Sequence, residues 1–285
     1  MSTPINPPMP PNTPQVEMPL PPVIPRWKSS KSRSWGLLFV CLLLLALMGE
    51  AALKLRPGLN FAISAGVLAL VVLLFGQWSC RRPLGVLIDY RNLMSLARFQ
   101  SILWTIIVLT GFLAMVALRL RFPIPGKSAM DVGIPWELWA LMGISTTSLV
   151  GAPLILEGKL DKIPTADAMD KASLTLHQSA PSLADVSSMG TLYRNASLQD
   201  ARITDMLQGD EIMNITYLDM AKVQMLLFTI VGALVYCGVL YRSLTDPAPA
   251  NLAQMPTLSQ GMVTLLGISH AGYLGSKTVN QTPST

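Results

Sequence analysis

Charge is what this 285-residue chain has least of: Asp, Glu, Lys and Arg together make up 13% of it. A soluble domain carries roughly 25%, so a surface that faces water on every side is excluded. Histidine is also scarce, with only His177 and His270, and neither has a second ligand at metal-binding spacing. The three cysteines, Cys41, Cys80 and Cys237, lie in or beside apolar runs without a CxxC pair. That excludes a disulfide framework and a thiolate zinc site. No HExxH, GxSxG, Walker A or GxGxxG pattern occurs. The expectation is a protein that is not an enzyme and holds no metal and no cofactor. The net charge of +5 is not gathered into one basic patch, so no nucleic-acid partner is expected either.

What the chain does have is hydrophobic residues, 51% of the total, segregated into runs flanked by Arg and Lys. Segregation of this kind arises when hydrocarbon is the solvent for part of a chain and flanking cations sit among anionic headgroups. Five runs approach the ~20 residues needed to cross ~30 Å of hydrocarbon as helix. They cover about 35–55, 59–78, 98–118, 136–156 and 221–241, and a weaker sixth covers about 258–276. Barrel strands would be half as long and would alternate in polarity. The expected fold class is therefore all-α, a polytopic transmembrane helix bundle of about six spans, with the lipid bilayer as its first partner.

The organisation expected around these runs has six parts. Residues 1–34, dense in proline from Pro7 to Pro25, read as a disordered tail and not as a signal peptide. Residues 35–78 form a transmembrane hairpin in which Glu50 and Lys54 make an interfacial pair one turn apart. A first two-helix unit (79–156), a polar linker without a sizeable core (157–218), a second two-helix unit (219–277) and a tail (278–285) follow. With the N-terminus placed in the cytoplasm, fifteen of the 21 Lys and Arg fall on inner segments. This bias puts both termini inside. The Asn195-Ala-Ser197 and Asn214-Ile-Thr216 sequons then face the cytoplasm and read as chance matches.

The two-helix units look duplicated. At an offset of 124, Ala97, Gln100, Leu103, Thr105 and Ile106 are identical to Ala221, Gln224, Leu227, Thr229 and Ile230. Further on, Leu141, Gly143, Ile144, Ser145 and Gly151 match Leu265, Gly267, Ile268, Ser269 and Gly275 without a gap. Five identities in the ten positions 97–106 exceed the roughly 10–15% expected of apolar composition. An even number of crossings separates the copies, so they are parallel repeats about an axis along the membrane normal.

Within the repeat, Ser95 and Asp219 stand where helix N-caps are needed, and Arg98 and Lys222 are placed to snorkel to headgroups. Gln100 and Gln224 each need a partner one turn inside the bilayer, either the opposite helix or a polar cavity. Gly143, Thr147 and Gly151, with Gly267, Ala271 and Gly275, make small-residue stripes for close helix packing. Ser145, Ser269 and His270 either line a narrow polar path between the copies or bond locally. In the linker, Asp205, Asp210 and Glu211 are expected to pair with Arg194, Arg202 or Lys222, and 203–218 reads as an interfacial helix.

The stretches Ser95–Thr105, Asp219–Gln224 and Leu266–Leu274 resemble recurring segments of bacterial membrane proteins without an assigned activity, which implies a bacterial inner membrane. Two functions follow as expectations. One is a channel- or transporter-like bundle with Gln100, Ser145, Gln224, Ser269 and His270 near a pseudo-twofold axis. The other is a membrane anchor or scaffold that works through its tail and linker, with other membrane proteins or a second copy as partner.

Overall fold

The computed structural model describes residues 31–179, 188–246 and 253–284. The proline-rich tail therefore lies outside the described residues up to position 30. Each apolar run forms one helix: α1 (Lys31–Lys54), α2 (Pro57–Cys80), α3 (Leu96–Arg121), α4 (Trp136–Glu157), α6 (Met220–Thr245) and α7 (Gln260–Thr278). The linker adds α5 (Ala166–Ser179) and a two-residue hairpin of β1 (Ser188–Met189) and β2 (Leu192–Tyr193). Helix limits follow local chemistry. Pro57 opens α2 at a position whose N–H needs no intrahelical partner. Ser95, Asp219 and Ser259 accept backbone N–H groups at the starts of α3, α6 and α7.

Four helices, α2, α3, α4 and α6, are long and apolar enough to cross a membrane. In α1 the apolar portion is shorter, Trp35–Ala51, and α7 falls short because Ser269, His270, Ser276 and Lys277 dilute it. The outer surface of the bundle is apolar. On α6 alone, Leu227, Val231, Leu234 and Val235 are more than half exposed, a contiguous apolar exterior that water does not tolerate and lipid does.

Helices α3, α4, α6 and α7 enclose the main core, built on Trp104, Met115, Leu138, Leu141, Leu240 and Leu266. The α1–α2 hairpin packs beside it, mainly through α2 on α3. Contacts between the paired helices run at nearly constant separation: Ile144 against Gly267, Gly151 against Leu274 and Ser148 against His270. Helices α4 and α7 are therefore parallel neighbours. At one end of the bundle Arg119 is buried and donates to the carbonyls of Ser128, Asp131 and Ala253, at 3.1, 2.5 and 2.8 Å. It thereby ties the α3–α4 loop to residue 253 of the α6–α7 loop.

The other end departs most from expectation. The linker has a small core of its own, in which Ile212, Ile215, Ala172 and Tyr193 pack on Leu93 from the α2–α3 connector. Asn92 and Asn195 donate their side-chain amides to each other's backbone carbonyl, both at 2.9 Å. The hydrophobic partner and the amide clasp lie about a hundred residues away, which is why composition along the linker alone suggested no core. Residues 203–218 are not an interfacial helix. They form one 3-10 turn, Ile203–Met206, and then irregular chain with Ile212 and Ile215 turned inward. Gly190, at φ +63, makes the β1–β2 turn in a left-handed conformation open to glycine.

Close backbone approach locks the connector as well. A Cβ on Gly76 in α2 would strike the Pro83 carbonyl and lie 2.9 Å from that of Arg82. Gly76→Ala is expected to lower stability by about 1–3 kcal/mol, read as a lower melting temperature in detergent. Gly66→Ala, where a Cβ meets nothing within 4 Å, is expected to leave melting unchanged.

Candidate functional site

The sequence-predicted polar residues divide sharply. Gln100 is fully buried and its amide donates to the Met225 carbonyl (3.3 Å) and to the Thr229 hydroxyl of α6. Its repeat counterpart Gln224 is exposed. Successive helical residues are about 100° apart, and fully buried Met225 faces the core, so Gln224 is turned outward. The two glutamines therefore do not meet at an axis. We expect Gln100→Leu to cost about 1 kcal/mol and Gln224→Leu to be neutral in a detergent unfolding titration.

Ser145, Ser269 and His270 are buried at the α4–α7 interface. Ser148, which the repeat did not single out, is fully buried and its Oγ lies 2.7 Å from His270 Nδ1. Inside this part of the bundle, Gln100 Oε1, Trp104 Nε1, Ser145 Oγ, Tyr236 OH, Ser269 Oγ and His270 Nε2 are buried with no hydrogen-bond partner among the described residues. At 1.5 Å per residue from the linker-side helix ends, Trp104, Thr229, Ser148 and His270 all lie about 12–14 Å in. They form a polar layer at one depth.

The small-residue stripes are only partly at this interface. Gly151 and Gly267 lie at its rim, against Leu274 and Ile144. Gly143, Thr147, Ala271 and Gly275 are exposed, and a Cβ on Gly143 or Gly275 would meet nothing within 4 Å. Close approach of α4 and α7 instead uses Leu141, Ser145, Ser148, Leu266, Ser269 and Tyr273, one helical face away. The stripe pattern carries spacing but not rotation, and four of its six members face outward.

At the linker side the bundle is closed by buried ion pairs. Asp210 receives Arg91 (2.8 Å), Lys222 (3.1 Å) and Lys277. Arg91 also holds Asp89, at 3.1 Å. Glu211 takes Lys159 at 2.6 Å and accepts the backbone N–H groups of Gln281 and Thr282. Of the pairs expected for Asp205, Asp210 and Glu211, only Asp210 with Lys222 forms as an ion pair among the described residues, while Glu50 and Lys54 pair at 2.6 Å as expected. Lys222 therefore does not snorkel. Asp205 accepts the backbone N–H groups of Arg202 and Met94, and burial raises its pKa. Burial acts to raise the pKa of Asp210 too, but Lys222, Lys277 and Arg91 outweigh it and hold the carboxyl well below the usual range. A structural clasp is what such an arrangement does chemically: three cations need one carboxylate, and the carboxylate needs them.

Two cavities flank the clasp. One, of about 370 Å³, lies among Arg91, Arg98, Tyr90, Lys277 and the linker-side ends of α3 and α4. The other, of about 270 Å³, lies against Asp210, Glu211 and Lys159. The sequence reading missed the larger one, although Tyr90, Arg91 and Arg98 within nine residues of a helix start were visible as a basic–aromatic cluster. No protein-family model, no curated protein and no solved structure matches this chain.

Proposed function

We propose that the chain is a channel- or transporter-like membrane protein with six spans, whose α3–α4 and α6–α7 units are duplicated copies. The carrying observation is the group of six buried polar atoms without partners in the core. Each such atom costs about 1–3 kcal/mol, so together they rival the net stability of a whole protein, about 5–15 kcal/mol. A core that keeps them is reconciled with stability by small polar guests passing between the helices. The path runs through Ser148, His270 and Ser269 of the layer and past Ser145, about one turn deeper.

Support for the duplication comes from the lead-in to each unit. A 3-10 turn (Pro83–Leu87 or Ile203–Met206) precedes both α3 and α6. The N-cap N–H of Ser95 then donates back to Leu87, and that of Asp219 to Leu207, both at 2.8 Å. Arg98 and Lys222 each reach back to a carbonyl of this lead-in, Val86 and Gln208. The second loop is four residues longer, which conceals the match in the sequence. The weaker α7 takes its place as a span because its counterpart α4 is long and apolar.

Flux from proteoliposomes tests the proposal. Purified chain is expected to raise permeability to protons or small ions above empty vesicles, and Ser148→Leu with Ser269→Leu to abolish the increase. Permeability equal to that of empty vesicles overturns it. The folded linker supports a second reading, a scaffold, because its clasped core presents a surface with Ile203, Tyr217 and Leu218 exposed. Under that reading, loss of residues 188–218 abolishes partner binding while flux stays at background.

A further inference from the structure

We infer that the larger linker-side cavity binds a phosphate-bearing anion, and that its occupant is the headgroup of an anionic phospholipid. The cavity sits where α3 begins and α4 and α7 end, at headgroup depth for helices of this length. Its polar wall carries Arg91, Arg98 and Lys277 against a single carboxylate, Asp89, which Arg91 already engages. Arg91 and Lys277 are each at most 5% exposed. They are anchored on Asp210 and so cannot swing away from the cavity.

Comparison of the two units identifies what is missing. Lys222 is neutralised by Asp210 of its own lead-in segment. Arg98, its counterpart at an offset of 124, donates only to the Val86 carbonyl and forms no ion pair among the described residues. One guanidinium face is therefore left toward the cavity, in the planar, multi-donor geometry that suits phosphate. Around Asp210, three cations meet two carboxylates when Asp89 is counted, so Arg98 adds to an existing positive excess. The smaller cavity lacks this property, because Asp210 and Glu211 already line it.

The opposite wall is apolar, formed by Leu149, Ala152, Pro153 and Leu156 of α4. Through Tyr90 and Pro153 it adjoins a groove lined by Val150, Leu154 and Leu160, with exposed Glu157 at the end of α4 also in its wall; Val150 and Leu154 are more than half exposed on the bundle exterior. An anionic head against cations with an acyl chain along α4 matches this sequence of surfaces. A free phosphate would use only the first half of it.

Native mass spectrometry of the full chain in neutral detergent separates the sources, with dioleoyl-phosphatidylglycerol, dioleoyl-phosphatidylcholine and inorganic phosphate as probes. One phosphatidylglycerol per chain is expected, at least tenfold tighter than phosphatidylcholine. It should weaken at least tenfold in Arg98→Gln and by a smaller factor in Arg98→Lys, which keeps the charge but not the planar fork. Melting temperature establishes that both variants are folded. Inorganic phosphate bound as tightly as phosphatidylglycerol, with the same Arg98 dependence, keeps the phosphate site and overturns the lipid. Equal binding of both lipids, or Arg98→Gln indistinguishable from the native chain in a folded state, overturns the site.

Discussion

Asp210→Asn is expected to cost about 3–5 kcal/mol, the usual penalty for stranding buried charges. Arg91, Lys222 and Lys277 converge on this one carboxylate at side-chain exposures of 6%, 6% and 2%. An amide supplies hydrogen bonds but no charge, so three cations are left with only Asp89 nearby. The linker should detach first, because residues 208–211 carry both the carboxylate and its hydrogen bonds to the helix ends. Limited proteolysis with cleavage at 188–218, at a temperature that leaves the native chain intact, checks this. Replacing an exposed pair such as Lys171–Asp167 should change little. The pH dependence has a definite sign. A carboxyl whose folded pKa is depressed contributes stability above its unfolded value, about 3.9, and loses it as pH falls through the folded one. The clasp therefore holds at neutral and mildly acidic pH and weakens only below about pH 4.

Arg119→Met is expected to be nearly as damaging at the opposite end. The buried guanidinium holds three carbonyls from two loops, and hydrogen bonds from a charged donor contribute about 1.5–3 kcal/mol each. A total loss of at least about 3 kcal/mol corresponds to a melting shift of roughly 6–12 °C. Because the bonds of Arg119 to Ser128, Asp131 and Ala253 join the two loops through their backbone, the helices should stay helical while the loops become cleavable. Circular dichroism unchanged at 25 °C, with faster cleavage within 122–135, is the expected pair of results. Cleavage no faster than in the native chain would show that the loops are held by something else.

These two clasps also mark the limit of what was legible in the sequence. Helix positions were legible because hydropathy acts along consecutive residues, and the caps Ser95 and Asp219 because capping acts over three residues. Arg91 and Asp210 lie 119 residues apart, and Asp210 and Lys277 lie 67 apart. No local pattern encodes such pairs, so the linker read as coreless. The proposed repeat pairs residues along the sequence but says nothing of how the helices rotate. Gln100 met α6 while Gln224 faced outward, and Gly143 and Gly275 lined no interface. His270 and the hydroxyl of Ser148 were both visible as polar groups of their helices, but their pairing was not, since position 148 is matched at the offset of 124 by Gly272. Two of the features that matter most, the polar layer and the basic cavity, exist only once distant helices are side by side.

Accessibility of the polar layer to small water-soluble reagents tests the central claim most directly. With Cys41, Cys80 and Cys237 replaced by Ser or Ala, single cysteines are placed at Ser148 and Ser269 in the layer. A control cysteine at Val108, in the apolar core, serves as reference. If small polar species traverse the layer, both serine-site cysteines react with a charged methanethiosulfonate at least tenfold faster than the control in sealed vesicles. Reaction no faster than at Val108 would contradict it, and would make the buried hydroxyls part of a dry packing interface.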